Sequence, residues 1–486
     1  MSCNEKPNPR TRREALSMLG QGFGLTALAA TTQRALAQTA GSQGGEAPDG
    51  GVPGVLTGKL HFKPRAKRVV FLFMNGGVSH IDSFDPKPMV DKYDGHPMPG
   101  SVPVTQRHVG NLMKSPFKFR KYGQSGMDFS ELWPNVGGIA DEICMVRSMY
   151  ADIPNHEPTT TLFNTGSNVA GRPSMGSWIS YGLGTENANL PSFVVMVPAL
   201  PISGGSPMWS SAFLPAIHQG TLVHNAWVDG EVFDARKAIP NLNNLSIQPA
   251  LQNAELDFLR GLNKMQLRGD LEMEASIRSM EIAYRMQTEA PDVFDISRES
   301  KSVLEMYGPG SPALGCLLAV RLIEKGVRMV QLYQGKGDPF DSHNDIMQHV
   351  NAAREGDRPY AALVKDLKQR GLLDETLVVC GTEFGRTPAV ETANTSPDGK
   401  VVNGRDHNHY GFSIWLAGAG IKKGMIYGAT DDFGYKVVDK KVHPHDLQAT
   451  ILYLLGIDHT KLTYQYSGRE MRLTDTNGEV IHDILA

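Results

Sequence analysis

Short apolar runs that end in glycine and polar residues, set apart by helix-length stretches, most restrict how this chain can fold. Residues 67–73 read KRVVFLF and residues 143–149 read ICMVRSM, with further runs at 191–197, 327–333, 376–380 and 411–418. Runs this continuous suit strands buried on both faces, which occur where helices cover both sides of a parallel sheet. Helical signals lie between them: Ser174 to Leu183, Pro312 to Lys325, Asp345 to Arg370, and a last segment capped by His443, Pro444, His445 and Asp446. In 250–308, Leu256, Leu259, Leu262, Leu271, Ile277, Met280 and Ile282 keep helical spacing and predict two long amphipathic helices. The alternation predicts an α/β fold, a mostly parallel central sheet with helices on both faces, in a single domain over 59–486. No internal repeat interrupts it.

Ligands bind at the carboxyl edge of such sheets, and four run ends here carry metal-type donors. Thr376–Cys380 delivers Glu383 and Arg386. The 327–333 run opens into Asp338, Asp341 and His343. The first run opens into Asn75, His80, Asp82 and Asp85. About twenty residues beyond Glu383 come Asp406, His407 and His409, two histidines at a spacing that shares one side if extended. Carboxylate oxygen with neutral imidazole suits a divalent cation: zinc, manganese, iron or calcium. The sequence does not choose between Asp338 and Asp341, or between His407 and His409. His156 opens a short segment with Glu157 and Pro158 early and Gly166 at its end, the signature of a helix start and stop.

The first residues read as an address. Arg12-Arg13 precedes a mildly apolar Gly/Ala/Leu stretch and then Ala35-Leu36-Ala37, the layout of a bacterial twin-arginine export signal over 1–37, followed by a Gly/Ser/Pro-rich linker over 38–58. The apolar part is too short for a stable membrane span. This predicts use of the twin-arginine export machinery and a periplasmic, cell-surface or extracellular location. A net charge of -3 offers nothing for nucleic acid. Four cysteines without a Cys-x-x-Cys pattern indicate neither a disulfide framework nor a thiolate zinc site. The Pro/Gly/Asn-rich stretch 198–248, with Trp209, His218, His224 and Trp227, is expected as an insertion or lid over the site. Residues 86–128 are expected as loops.

The order of these segments resembles the alkaline phosphatase and sulfatase superfamily. More closely, Asn155-His156-Glu157 with Thr165-Gly166, Phe340-Asp341-Ser342-His343, Gly381 to Pro388 (GTEFGRTP) and Gly404-Arg405-Asp406-His407 resemble the bacterial domain-of-unknown-function 1501 family, over about residues 65–460. The resemblance implies an alkaline phosphatase/sulfatase-like fold. It places Asn75 where a first metal aspartate is expected, His156 at the nucleophile position, and Asp338 or Asp341 with His343, Glu383, and His407 or His409 as the later ligands. Three departures stand out. His156 is not the Ser, Thr or modified Cys of those enzymes, Asn75 is neutral, and Phe384 takes the place of a ligand histidine. A one-metal or shifted site is the easier one to build.

Two functions are carried forward. The first is an exported metal-dependent hydrolase of phosphate or sulfate esters. There His156 is nucleophile or acid/base, Arg386 or Arg172 neutralises the anionic group, and the substrate is an anionic small molecule or glycan ester. The second is a catalytically degenerate sulfatase-like module that binds glycans or an envelope protein.

Overall fold

The computed structural model describes residues 51–226, 271–391 and 403–486, with a few isolated positions between 227 and 270. The expected export signal 1–37, the linker up to residue 50, Trp227 with most of 227–248, and most of 250–270 in the 250–308 helical stretch lie outside the described residues.

The strands that matter here are β1 (Arg68–Phe73), β2 (Val109–Leu112), β3 (Ile143–Met149), β4 (Phe193–Val197), β5 (Thr221–His224) and β6 (Met329–Tyr333). They continue with β7 (Thr376–Gly381), β8 (Gly385–Glu391), β9 (Arg405–Asn408), β10 (Phe412–Gly418) and β11 (Met425–Tyr427). Eight of them form the central sheet, in the order β11-β3-β10-β7-β1-β6-β4-β5. β1 runs parallel to both β6 and β7, β4 to both β5 and β6, and β11 to β3, while β10 is antiparallel to its two neighbours. The expected mostly parallel sheet is present.

Alternate residues of each strand feed two cores. Val70 and Leu72 of β1 join one cluster with α4 (Ser311–Glu324), α5 (His349–Gln369) and the end of α3 (Leu271–Phe294). Val69, Phe71 and Phe73 join the other with α1 (His156–Thr165), α2 (Met175–Leu183) and α6 (Pro444–Leu454). Helices therefore cover both faces, and burying each such side chain contributes about 1.5–3 kcal/mol. Cys144, Cys316 and Cys380 are free buried thiols within these clusters. Among the described residues no helix is long and apolar enough to cross a membrane.

Three expectations change. Residues 51–58 are not a free tether: Val52 is buried, and Val55 N–H donates to the carbonyl of Tyr181 at the end of α2. The described part of 198–248, expected as an insertion or lid, also supplies β5, which pairs in register with β4 at the sheet's edge. The stretch 86–128 holds short strands, among them β2, which joins β8 and β9 in a separate antiparallel sheet of order β9-β8-β2. That small sheet stands beside the carboxyl ends of β1, β6 and β7 and carries part of the site.

Candidate metal centre

The site is built from the ends of four strands and the start of one helix. After β6, residues 334–341 fold back over the end of β1, with Phe340 N–H bonded to the Asn75 carbonyl. Only glycine fits beneath this loop at position 76. Its φ is +110°, and a Cβ there would meet Phe340 N at 2.7 Å and the backbone of Asp338 and Asp341 at 2.8 Å. In the small sheet, Arg386 of β8 lies directly across from His407 of β9. Opposed residues of an antiparallel pair share a face, so both side chains reach the same loop.

They meet at one atom. Asp341 Oδ1 accepts from Arg386 Nη2 at 2.7 Å and lies 2.9 Å from His343 Nε2, 3.1 Å from His407 Nε2 and 3.2 Å from His156 Nε2. The last contact lacks the alignment of a hydrogen bond. His343 Nε2 and His407 Nε2 are themselves 3.0 Å apart. The opposite nitrogen of each ring is held by an oxygen that can only accept. His343 Nδ1 donates to Glu391, His407 Nδ1 to the Pro154 carbonyl at 2.6 Å, and His156 Nδ1 to Glu383 at 2.7 Å. Each Nδ1 is thereby engaged by an acceptor, and the Nε2 atoms of three rings converge on a carboxylate.

Three imidazole nitrogens gathered on one carboxylate at such distances call for positive charge among them, as a bound cation or as protons on the rings. A tetrahedral ion bound about 2.0–2.1 Å from each nitrogen would set two of them roughly 3.3 Å apart, close to the spacing found. Imidazoles anchored through their second nitrogen to a carboxylate or carbonyl are also the usual outer shell of metal-binding histidines. The donor set therefore fits a divalent ion. It suits zinc, iron or manganese better than calcium, which prefers an all-oxygen shell.

The charges follow. Burial alone would raise Asp341, but the three histidines beside it and the Arg386 charge hold it far below the usual carboxylate range. Burial opposes charging of His156, yet Asp341 and Glu383 outweigh it and raise the group to about 9. Burial, then the Arg386 charge, push His407 down to about 3.

A second group, His156, Asp338 and Glu383, adjoins the first, with donor atoms within 4.8 Å of one another. Glu383 Oε1 also accepts from Gly76 N–H at 2.8 Å, and Thr382 Oγ1 bonds Glu383 Oε2 at 3.2 Å. Asp338 accepts from Ser203 Oγ at 2.6 Å, and its other oxygen is buried without a partner. Phe384 is fully buried against His156 and His407, with ring centres 4.8 and 4.4 Å away, and makes an apolar back wall.

Of the residues singled out from the sequence, Asp341, His343, His407 and His156 come together, and Glu383 joins them through His156 rather than through Asp341. Four are placed differently. The Asn75 amide is used by the backbone of Gln334 and Gly337, so it shapes the loop instead of facing the donors. His409 lies beyond the end of β9, where Tyr410 N–H bonds Asn408 Oδ1, and packs against Tyr410 with tilted rings whose centres are 3.9 Å apart. Arg172 pairs with Asp475 at 3.2 Å and does not contact the cluster. Arg386 reaches the cluster but is fully buried, with four of its five N–H groups bonded to Asp341 and the carbonyls of Gly76, Gly77 and Arg405, so it braces Asp341 from behind and is not exposed to a substrate anion. The partners Glu391 and Pro154 had no signal of their own. Glu391 follows Arg386 by five residues, and only the pairing of β8 with β9 brings it near His343.

A family model described as "Protein of unknown function (DUF1501)" matches residues 66–485. None of the curated proteins matches the sequence. Solved structures with a similar fold include a protein in the alkaline phosphatase superfamily from Vibrio parahaemolyticus (12% identity, 90% of this chain and 76% of that chain, TM-score 0.34). A sulfatase from Pseudoalteromonas sp. is similar at 12% identity, covering 82% of this chain and 69% of that chain, with TM-score 0.32. A phosphonate monoester hydrolase from Silicibacter pomeroyi is similar at 10% identity, 73% and 71% coverage, and TM-score 0.32.

Proposed function

The chain belongs to the DUF1501 family, and from that starting point we propose that it is an exported metal-dependent hydrolase of phosphate or sulfate esters. One observation carries the reading: three imidazole Nε2 atoms converge on Asp341 Oδ1 while each Nδ1 is tied to an acceptor. Asp341, His343 and His407 would hold the ion. When bound, it supplies charge that polarises an ester oxygen and acidifies a water.

The protein's own groups do the rest. Glu383 fixes the tautomer and direction of His156, whose Nε2 faces the same point and can hold or release a proton there. Arg386 keeps Asp341 ionised from behind. Phe384 keeps water from the rear of the imidazoles. Asp341 is 30% exposed, which leaves the cluster open to a substrate. The twin arginine at Arg12-Arg13 supports export, and the substrate class is an anionic small molecule or glycan ester.

The test is elemental mass spectrometry of the exported protein beside Asp341→Ala and His407→Ala, together with hydrolysis of aryl phosphate and aryl sulfate esters. Stoichiometric zinc, iron or manganese, lost in both variants along with ester cleavage, is the expected result. A folded wild type that neither carries metal nor takes it up on titration would remove the reading. A second reading, a sulfatase-like module that keeps its ion without turnover and binds glycans or an envelope protein, is favoured by the full burial of Arg386, which keeps it from a substrate anion. It predicts bound metal with no cleavage of either ester.

A further inference from the structure

At the helix start of α1, where a hydroxyl or thiol nucleophile would be placed, stands an imidazole, His156. On that helix Thr159 Oγ1 donates to the Ile153 carbonyl at 2.8 Å and Thr161 Oγ1 to the Glu157 carbonyl at 2.6 Å, and the Thr160 hydroxyl is fully buried without a partner. Thr382 is fully buried and bonded to Val78 N–H and Glu383. Ser203 differs from all of these. It is half-buried, comes from another part of the chain, and reaches the edge of the cluster.

Its surroundings are specific. Gly205 N–H bonds the Ile202 carbonyl at 3.1 Å, closing a tight turn with Ser203 and Gly204 at its apex and Gly204 at φ +80°. Ile202 is buried below, and Gly337 N–H bonds the Pro201 carbonyl at 3.0 Å, so the turn is pinned to the loop that carries Asp338 and Asp341. From the apex, Ser203 Oγ donates to Asp338 Oδ2 at 2.6 Å. The other Asp338 oxygen is buried with no partner, in the group whose remaining members are His156 and Glu383. A hydroxyl thus rests on a buried carboxylate next to a histidine that its own carboxylate orients, an arrangement with the parts of an activated nucleophile and a separate proton donor.

We propose that Ser203 is the nucleophile of the ester cleavage and Asp338 its base, an inference that rests on the hydrolase reading above. Ser203 Oγ forms a bond to the phosphorus or sulfur of the ester as its proton passes to Asp338 Oδ2. The bond from that centre to the alcohol oxygen breaks, and the leaving oxygen takes a proton from His156. Water then adds to the same centre and gives a proton to His156. The bond to Oγ breaks, and Oγ recovers its proton from Asp338. The sum is hydrolysis, with every group returned to its starting state.

The test treats the metal-loaded wild type with diisopropyl fluorophosphate, which an activated serine attacks at phosphorus with loss of fluoride, and locates the adduct by peptide mass spectrometry. The expected result is a single adduct on Ser203 whose formation slows about tenfold or more in Asp338→Asn. In parallel, Ser203→Ala is expected to lose about a hundredfold or more of kcat on an aryl phosphate while its metal content stays at the wild-type level. Wild-type turnover in Ser203→Ala, an adduct on His156, or no adduct in a protein that does cleave esters would each overturn the assignment and leave the hydrolase reading standing. Labelling of Ser203 that depends on Asp338, in a protein that cleaves neither ester, would uphold the activated serine and remove the hydrolase reading instead.

Discussion

At Asp341 one carboxylate oxygen serves three imidazoles and a guanidinium, so replacing it disturbs everything at once. Glu391 isolates a single effect. Its carboxylate touches no Nε2 of the cluster and acts on the centre through His343 Nδ1. Glu391→Ala leaves the donors in place but frees the ring of His343 to rotate and change tautomer. Zinc affinity, measured by competition with a chelator, is expected to fall about 10–100-fold, and unchanged affinity would show that Glu391 does not orient the ring. A second residue tests the protein's acid limb. His218 is buried, bonded to Ser180 at 2.8 Å, and burial lowers it to about 3. The folded form stays neutral where the unfolded chain takes a proton, so stability is full above about pH 6.5 and declines towards pH 3 by about 1.4 kcal/mol per pH unit for this group. In urea melts across that window, His218→Gln should flatten the decline by one proton; an unaltered slope would refute the assignment.

The elements show why some of the site was legible and some was not. A strand ending in polar residues is a local pattern, so β1, β3, β6, β7 and β10, the helix start at His156 and the Asp341/His343 end were readable from periodicity and glycine placement. β8 was not, because Gly385–Glu391 mixes Arg, Thr, Pro and Glu, and nothing local announces that it pairs with β9. That pairing decides between His407 and His409, since β9 ends at Asn408 and the period-two argument ends with it. The choice of Asp341 over Asp338 rests on the fold of residues 334–341 over Gly76, and a paired comparison tests it. Gly76→Ala and Gly95→Ala both impose a side chain on a positive φ, about 1–2 kcal/mol, but a Cβ at Gly95 meets nothing within 4 Å. Gly76→Ala should therefore cost about 1–3 kcal/mol more and lower metal affinity as the 338–341 backbone shifts. Equal stability in urea melts and equal affinity in both variants would mean that the loop is not held by this contact.

Across the molecule, the pattern of apolar runs was enough for a mostly parallel sheet with helices on both faces, because alternation of strands and helices leaves few other ways to bury both. It was not enough for the order of the strands, which depends on contacts between residues far apart in the chain. β1 illustrates this. It is the first strand of the central sheet to be made, it lies near the middle of that sheet, and its two neighbours are β6 and β7. During synthesis, neither flank exists until the ribosome has passed Met329 and then Thr376. At about 5–20 residues per second, the gap of about 300 residues between β1 and β7 amounts to roughly 15–60 s. For that interval an apolar strand waits with both hydrogen-bonding edges open, the condition in which strands pair with other chains. Chains halted before Met329 should therefore partition into aggregates or onto chaperones. Under the proposed twin-arginine route, which carries folded cargo, the wait would fall on the cytoplasmic side of the membrane.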